Sequence, residues 1–311
     1  IILRCLLRTV KVPDNVLCAK TFAAIGSIPG LEPPQIIDIE AVGATAVLFE
    51  NIMSRIAQIF RYPIKGLSPE PLSKVELSPG RTIPLDRAFA VAHGSTEFDA
   101  AKPKFLPKSK FLMLARNERL AALRSRYLEE SQELVIERDG KQVARGRLDQ
   151  PVGRQMIEQF FAAYLSSEVR GSPKLVRGQI AGNPAHTFSD VPQHCLSLIN
   201  ISSLRELERV MKTPIDPMRF RANVYFDTGL PWQEFDWCGS EFEIGNGVVV
   251  RATSRIQRCA ATNVNLETAN RDLNIPLQLQ QAFGHADMGI YVEVIQGGTI
   301  NQGDTITPPS T

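Results

Sequence analysis

The chain has 311 residues, 43% of them apolar, and sets 35 Lys and Arg against 33 Asp and Glu for a formal net charge of +2. That length suits two domains or one large β-rich body. So even a charge excludes a global pull toward nucleic acid or an anionic membrane, and any anion site must be local.

No uninterrupted apolar run approaches the roughly 18 residues of a bilayer span, so no membrane insertion is expected. Five scattered cysteines without a C-x-x-C pair point to a reducing, cytoplasmic setting. The four histidines are equally dispersed, which argues against a zinc finger or a zinc protease helix.

Residues 1–52 mix short apolar patches with Pro29, Pro33 and Pro34 and sustain neither a helical nor a strand period. They are expected to be an appendage, lying upstream of a native start at Met53. A first folded unit is expected over 53–170. It opens with strand-like runs at 55–62 and 72–77, the second closed by the turn Ser78-Pro79-Gly80. Asp139-Gly140, between 133–138 and 141–146, is the strongest hairpin signal in the chain. A helix follows, with Pro151 near its start and Met156, Ile157, Phe160, Phe161, Tyr164 and Leu165 on one core-facing stripe.

The second unit is expected over 171–311. The apolar run 195–199 feeds a helix whose Ser203-Leu-Arg-Glu206 has capping-box spacing. Strands are predicted at 219–226, 241–244, 248–256 and 289–295, and 298–306 reads as a tight hairpin closing a barrel. The chain therefore reads as mostly β with some α.

Cys259 follows Arg251, Arg255 and Arg258 at the end of an apolar strand. Positive neighbours favour the thiolate, the form that attacks electrophiles or binds a metal. The competing reading is a buried, inert cysteine, and Cys195 and Cys238 keep that reading. Arg219, Arg221 and Asn223 alternate and would project from one face of a strand, as an anion clamp or as a solvated sheet face.

The segments Arg219-Phe-Arg-Ala-Asn223, Arg258-Cys-Ala-Ala-Thr262-Asn-Val264 and Gly303-Asp304 occur in an order similar to that of MOSC domains, named for the C-terminal part of molybdenum cofactor sulfurase. Tyr62-Pro-Ile-Lys-Gly66 and Leu85-Asp-Arg87 resemble the MOSC N-terminal β-barrel domain that precedes it in relatives of the mitochondrial amidoxime-reducing component. The resemblance spans roughly 55–307. It implies an α+β fold in which a smaller barrel-like domain precedes a MOSC β-barrel. It also implies a molybdenum cofactor, molybdopterin carrying the metal. Cys259 would be its protein ligand and the catalytic residue, with Lys65, Arg87, Arg219, Arg221, Asn223 and Arg258 as cofactor-binding residues. Three positions depart from the family pattern: Gly66 where serine is frequent, Ala222 where proline is common, and Thr268-Ala269-Asn270 in place of a glycine-containing turn.

The function so implied is an oxidoreductase reducing N-hydroxylated or other N-oxygenated small molecules. Its electrons would come from a separate flavin, ferredoxin or cytochrome type of donor protein, because the chain has no cysteine series to hold an iron–sulfur centre. The alternative is a cofactor or sulfur carrier using a Cys259 persulfide without redox catalysis. A barrel that has lost its cofactor, and a cysteine hydrolase pairing Cys259 with His285, complete the set.

Overall fold

Leu196, Leu198, Ile290 and Val292 are fully buried in one apolar cluster, while the residues between them, Ser197 and Tyr291, point the other way and line a cavity. This period of two is what a strand imposes on its side chains, and it gives the architecture a wall with two faces. The computed structural model describes residues 54–178 and 186–309. The expectations for 1–52, Cys5 and Cys18 included, lie outside the described residues.

In chain order the strands and helices of the first half are β1 (Ser54–Arg61), β2 (Glu70–Leu72), β3 (Lys74–Leu77), β4 (Phe89–Ala92), β5 (Arg124–Leu128), β6 (Glu133–Arg138), β7 (Lys141–Arg147), α1 (Pro151–Leu165) and β8 (Lys174–Arg177). The second half has β9 (Leu196–Asn200), α2 (Ile201–Met211), β10 (Val224–Asp227), β11 (Glu241–Ile244), β12 (Val248–Gln257), α3 (Ile275–Phe283), β13 (Asp287–Gln296), β14 (Gly298–Asn301) and β15 (Thr305–Thr307). The fold is mostly β with three α-helices among the described residues. No described helix is long and apolar enough to cross a membrane.

Seven strands close into a barrel in the order β10-β9-β13-β12-β11-β15-β1, because β1 pairs both with β15 and with β10. All contacts in this ring are antiparallel except β9 with β10. The barrel interior holds Ile56, Ile59, Val224, Phe226, Ile244, Val250 and Ile306, and each such side chain stabilises by about 1.5–3 kcal/mol on burial. Gly289 permits the tight β9–β13 contact, since a Cβ there would lie 2.2 Å from the Leu198 carbonyl oxygen. On the outer face α2 and α3 cover Phe60, Tyr62, Ile199 and Tyr225.

The first half forms its own core around the sheet β5-β6-β7, with α1 packed on β7 and β4 paired to β8. The halves nevertheless exchange elements. The first half supplies β1 to the barrel and β3 to pair with β14, while Val264, just past Cys259, is buried in the first half's core.

Several expectations meet their physical limits here. The run 72–77 is interrupted at Ser73, and its two parts join different sheets. The predicted hairpin 298–306 is not one: β14 turns to β3, while β15 does close the barrel through β1. Asn200, not Ser203, caps α2 by accepting from the Ser202 N–H at 3.1 Å, which frees Ser203 to donate to the buried Glu234 at 2.9 Å. On α1, Ile157, Phe161 and Leu165 are core as expected, but Met156 is 52% exposed because the buried positions recur every fourth residue, at Gly153, Ile157, Phe161 and Leu165, and leave it on the flank of the stripe.

Candidate functional site

Where the outer wall of the barrel meets the first half lies a cavity of about 360 Å³. Lys65, Arg87, Arg219, Arg221, Asn223, Arg258 and Cys259, the residues singled out from the sequence, all line it. They come from four separate segments. Cys259 follows β12 and opens a 3₁₀ turn (Ala260–Asn263) whose Thr262 hydroxyl donates to the Cys259 carbonyl at 2.9 Å. Arg258 braces this position: its guanidinium donates to the Met288 carbonyl, at 2.8 Å from Nε, and to the Phe220 carbonyl at 3.1 Å.

Arg219, Arg221 and Asn223 do not alternate along a strand. Arg219 lies in a 3₁₀ turn (Pro217–Phe220), Arg221 caps that turn with φ of 53°, and β10 begins only at Val224. The start is set by Asp216, whose carboxylate accepts from the Met218 N–H at 2.9 Å, with Pro217 at the first position of the turn. Two buried tyrosines fix its end. Tyr62 donates to the Ala222 carbonyl at 3.2 Å; the Tyr225 hydroxyl accepts from the Ala222 N–H at 3.1 Å and donates to the Pro217 carbonyl at 2.8 Å. A proline at 222 has no N–H to give Tyr225. Gly66, with φ of 82° and a Cβ position 3.3 Å from Leu120, occupies a backbone that serine adopts only under strain.

The cations differ in their partners. Arg219, 5% exposed, forms a two-pronged pair with Asp272 at 2.7 and 2.8 Å, and this holds the Asp272 carboxyl below its usual range. Its Nε is buried without a hydrogen-bond partner. Burial works against the charge of Arg87, but adjacent Asp86 outweighs it and raises the Arg87 pKa. Asn223 is occupied within the barrel, accepting from the Ser197 N–H at 3.1 Å and hydroxyl at 2.9 Å and donating to the Phe60 carbonyl at 3.2 Å. Arg221 is different again. Its guanidinium sits 4.3 Å over the Tyr62 ring, burial lowers its pKa, and no carboxylate among the described residues pairs with it. Arg87 lies 4.8 Å over the same ring, and burial pushes the Tyr62 hydroxyl up to about 12.

Two charged lining residues escaped the sequence reading. Asp190 accepts from Lys65 at 2.5 Å and from Lys108 at 3.1 Å, while Lys65 also donates to the Phe188 carbonyl at 2.8 Å. Burial opposes ionisation of Asp190, yet the two lysines depress its pKa. Burial lowers Lys65, against the pull of Asp190. Lys108 also comes within interaction range of the Cys259 side chain; burial opposes its charge, but Asp190 and Cys259 raise its pKa. The one hint in the sequence is that Lys108 lies in a proline-broken basic run, 102–110.

Cys195 also lines the cavity, but burial pushes its thiol up to about 12, so it is a protonated, poor ligand at neutral pH. Cys259 is only half-buried. His285 is not part of the cavity lining. Its ring packs among Trp232, Phe235 and Phe283 and its Nδ1 accepts from the Asp287 N–H at 3.1 Å, which removes the base from the cysteine-hydrolase reading.

The family model for the MOSC domain matches residues 183–307, and that for the MOSC N-terminal beta barrel domain matches residues 53–171. Over 113 residues the chain is 34% identical to a protein named molybdenum cofactor sulfurase from Drosophila willistoni. The match covers 35% of this chain and 13% of that protein, so the chain spans a small part of its relative's length. Among solved structures, the YUAD protein from Bacillus subtilis is similar over 82% of this chain and 94% of its own, at 13% identity and a TM-score of 0.37. YiiM from Geobacillus stearothermophilus is similar over 37% and 54% respectively, at 22% identity and a TM-score of 0.29.

Proposed function

Starting from a chain that belongs to the MOSC-domain proteins and carries the MOSC N-terminal barrel domain as well, we propose that it binds the molybdenum cofactor in the cavity at Cys259. The observation that carries this reading is Arg221, a guanidinium held against Tyr62 at the cavity with no carboxylate partner among the described residues. Such a charge is costly unless an anion completes it. The buried, unpartnered Nε of Arg219 asks for an acceptor in the same place. The cavity's volume falls in the range of small-molecule and cofactor sites. The donor set thus fits a phosphate-bearing pterin whose metal takes one protein sulfur.

In this reading Arg221 and Arg87 bind the anionic part of the cofactor. Arg219 gives one N–H while Asp272 fixes its plane. Asn223 and Arg258 position the others through the barrel carbonyls and amides they hold. Cys259 presents the soft sulfur donor from a turn braced by Arg258 and Thr262. The bound cofactor would supply redox chemistry on N-hydroxylated or other N-oxygenated compounds, with electrons from a separate donor protein. The runner-up is a carrier in which Cys259 holds a persulfide, favoured by the name of the Drosophila willistoni relative.

Molybdenum analysis together with fluorescence of the oxidised pterin, on protein made in a host with an intact cofactor pathway, tests the proposal. Stoichiometric metal and pterin are expected, and a chain free of both would overturn it. Turnover of an N-hydroxylated substrate with an artificial reductant then divides the enzyme from the carrier.

A further inference from the structure

Cationic side chains in the cavity lining outnumber carboxylates by seven to one among the described residues, and Asp86 and Asp272 add countercharge from outside the lining. Most of these cations are fixed in place by protein groups. Arg219 faces Asp272, Arg258 is bonded to backbone carbonyls, and Arg87 and Arg221 lie over Tyr62. Lys108 instead enters the cavity from a separate 3₁₀ turn (Lys108–Lys110), lines it together with Cys259 within interaction range of the sulfur, and has Asp190 as its salt-bridge partner. It is far more accessible than Lys65, its side chain 36% exposed against 7%, and Asp190 is 43% exposed; Arg255, the other exposed cation of the lining, is held 4.4 Å over the Phe235 ring. Met113, Leu114, Ala115 and Val191 give this part of the lining an apolar wall.

A flexible ammonium next to a sulfur, held by a carboxylate that is open to water, is a cation whose partner can be exchanged. We propose that Lys108 makes the approach to Cys259 selective for anions, so that the small molecule handled at this sulfur carries a carboxylate or another oxyanion, which the Lys108 ammonium takes in exchange for Asp190. This rests on Cys259 marking the reacting end of the cavity, and it adds a substrate class to the function proposed above.

Iodoacetate and iodoacetamide test it. Both alkylate by the same step, in which the thiolate sulfur forms a bond to carbon as the carbon–iodine bond breaks and iodide leaves. They differ in charge, so the ratio of their rates at Cys259 cancels the thiolate fraction. The ratio is read by peptide mass spectrometry on the full chain made in a host that cannot synthesise the cofactor. It is expected to exceed that of Cys259 in the denatured chain roughly fivefold, the scale of one screened charge interaction. Lys108→Gln should return it close to the denatured value, Lys108→Arg should keep it, and Lys110→Gln, on the same turn but outside the lining, should not change it. An unchanged ratio in Lys108→Gln overturns the proposal. Should that variant not fold, the wild-type ratio must fall as ionic strength rises, and a flat response is equally fatal. Cofactor retention is measured separately. A ratio governed by Lys108 in a protein that never holds pterin defeats the cofactor reading alone, and the reverse result defeats only this one.

Discussion

The inside of the barrel and the cavity on its outer wall are lined by alternate residues of the same strands, yet they follow opposite rules. Leu196, Leu198, Ile290 and Val292 face inward, where apolar volume is all that counts. Ser197, Tyr291 and the cations around them face outward into a space where charge is gathered and left partly uncompensated. A residue's neighbour in sequence therefore says less about the effect of replacing it than its parity along the strand does.

The largest effect should come from the chemistry of one sulfur. Cys259→Ser is expected to abolish the protein–metal bond, read by X-ray absorption, while Cys195→Ser at the same cavity retains it. Loss in both without unfolding would mean that burial does not separate the two thiols. Ile290→Ala, inside the barrel, should cost about 2–5 kcal/mol in denaturant unfolding. Tyr291→Phe next to it should change stability by less than about 1 kcal/mol, and equal costs would erase the division between the two faces.

Within the cavity wall, Arg221→Met should lower pterin retention by ~10- to 100-fold, as expected for one or two lost charge-assisted bonds, while leaving the melting temperature unchanged or higher. Arg219→Met should also lower the melting temperature, because it strands Asp272. If the two variants behave alike, the arginines form one clamp after all.

A third environment tests burial without a cavity. Glu234 is fully buried, and desolvation raises its pKa although Asn200 and Ser203 donate to it at 2.9 Å. The folded chain then holds this proton to higher pH than the unfolded chain. Its contribution is complete below the ordinary carboxyl pKa and is lost as pH rises through the folded value, a slope that Glu234→Gln should flatten in urea titrations. The smallest effect is expected at Ala269, which holds φ of 56°: Ala269→Gly should raise stability by up to about 1 kcal/mol. A loss there would show that the turn draws on the methyl group.

What could be read from the chain follows the same division. The barrel strands from β11 to β13, the β6–β7 hairpin and the place of Cys259 after a strand were visible because alternation and turn residues are local signals. The arginine pair was misread as a strand face because Arg-Phe-Arg-Ala-Asn alternates, although Asp216-Pro217 just before it is a helix-start signal. Asp190 and Asp272 were invisible, and Lys108 nearly so, for a different reason. They sit in aperiodic segments, and their role exists only through partners such as Lys65, 125 residues from Asp190.

Ser54 pairs with Ile306, so the first described strand and the last are neighbours in the finished wall. During synthesis β1 can pair at once only with the short β2; its partner β10 lies some 170 residues on and β15 about 250 residues on, and ring closure across such a sequence separation is slow. A fragment beginning after β1 would keep β10 and β15 as two open edges with nothing between them. Such edges invite pairing between chains, so that fragment should be recovered as aggregate, and adding back a peptide of β1 should restore a monomeric barrel.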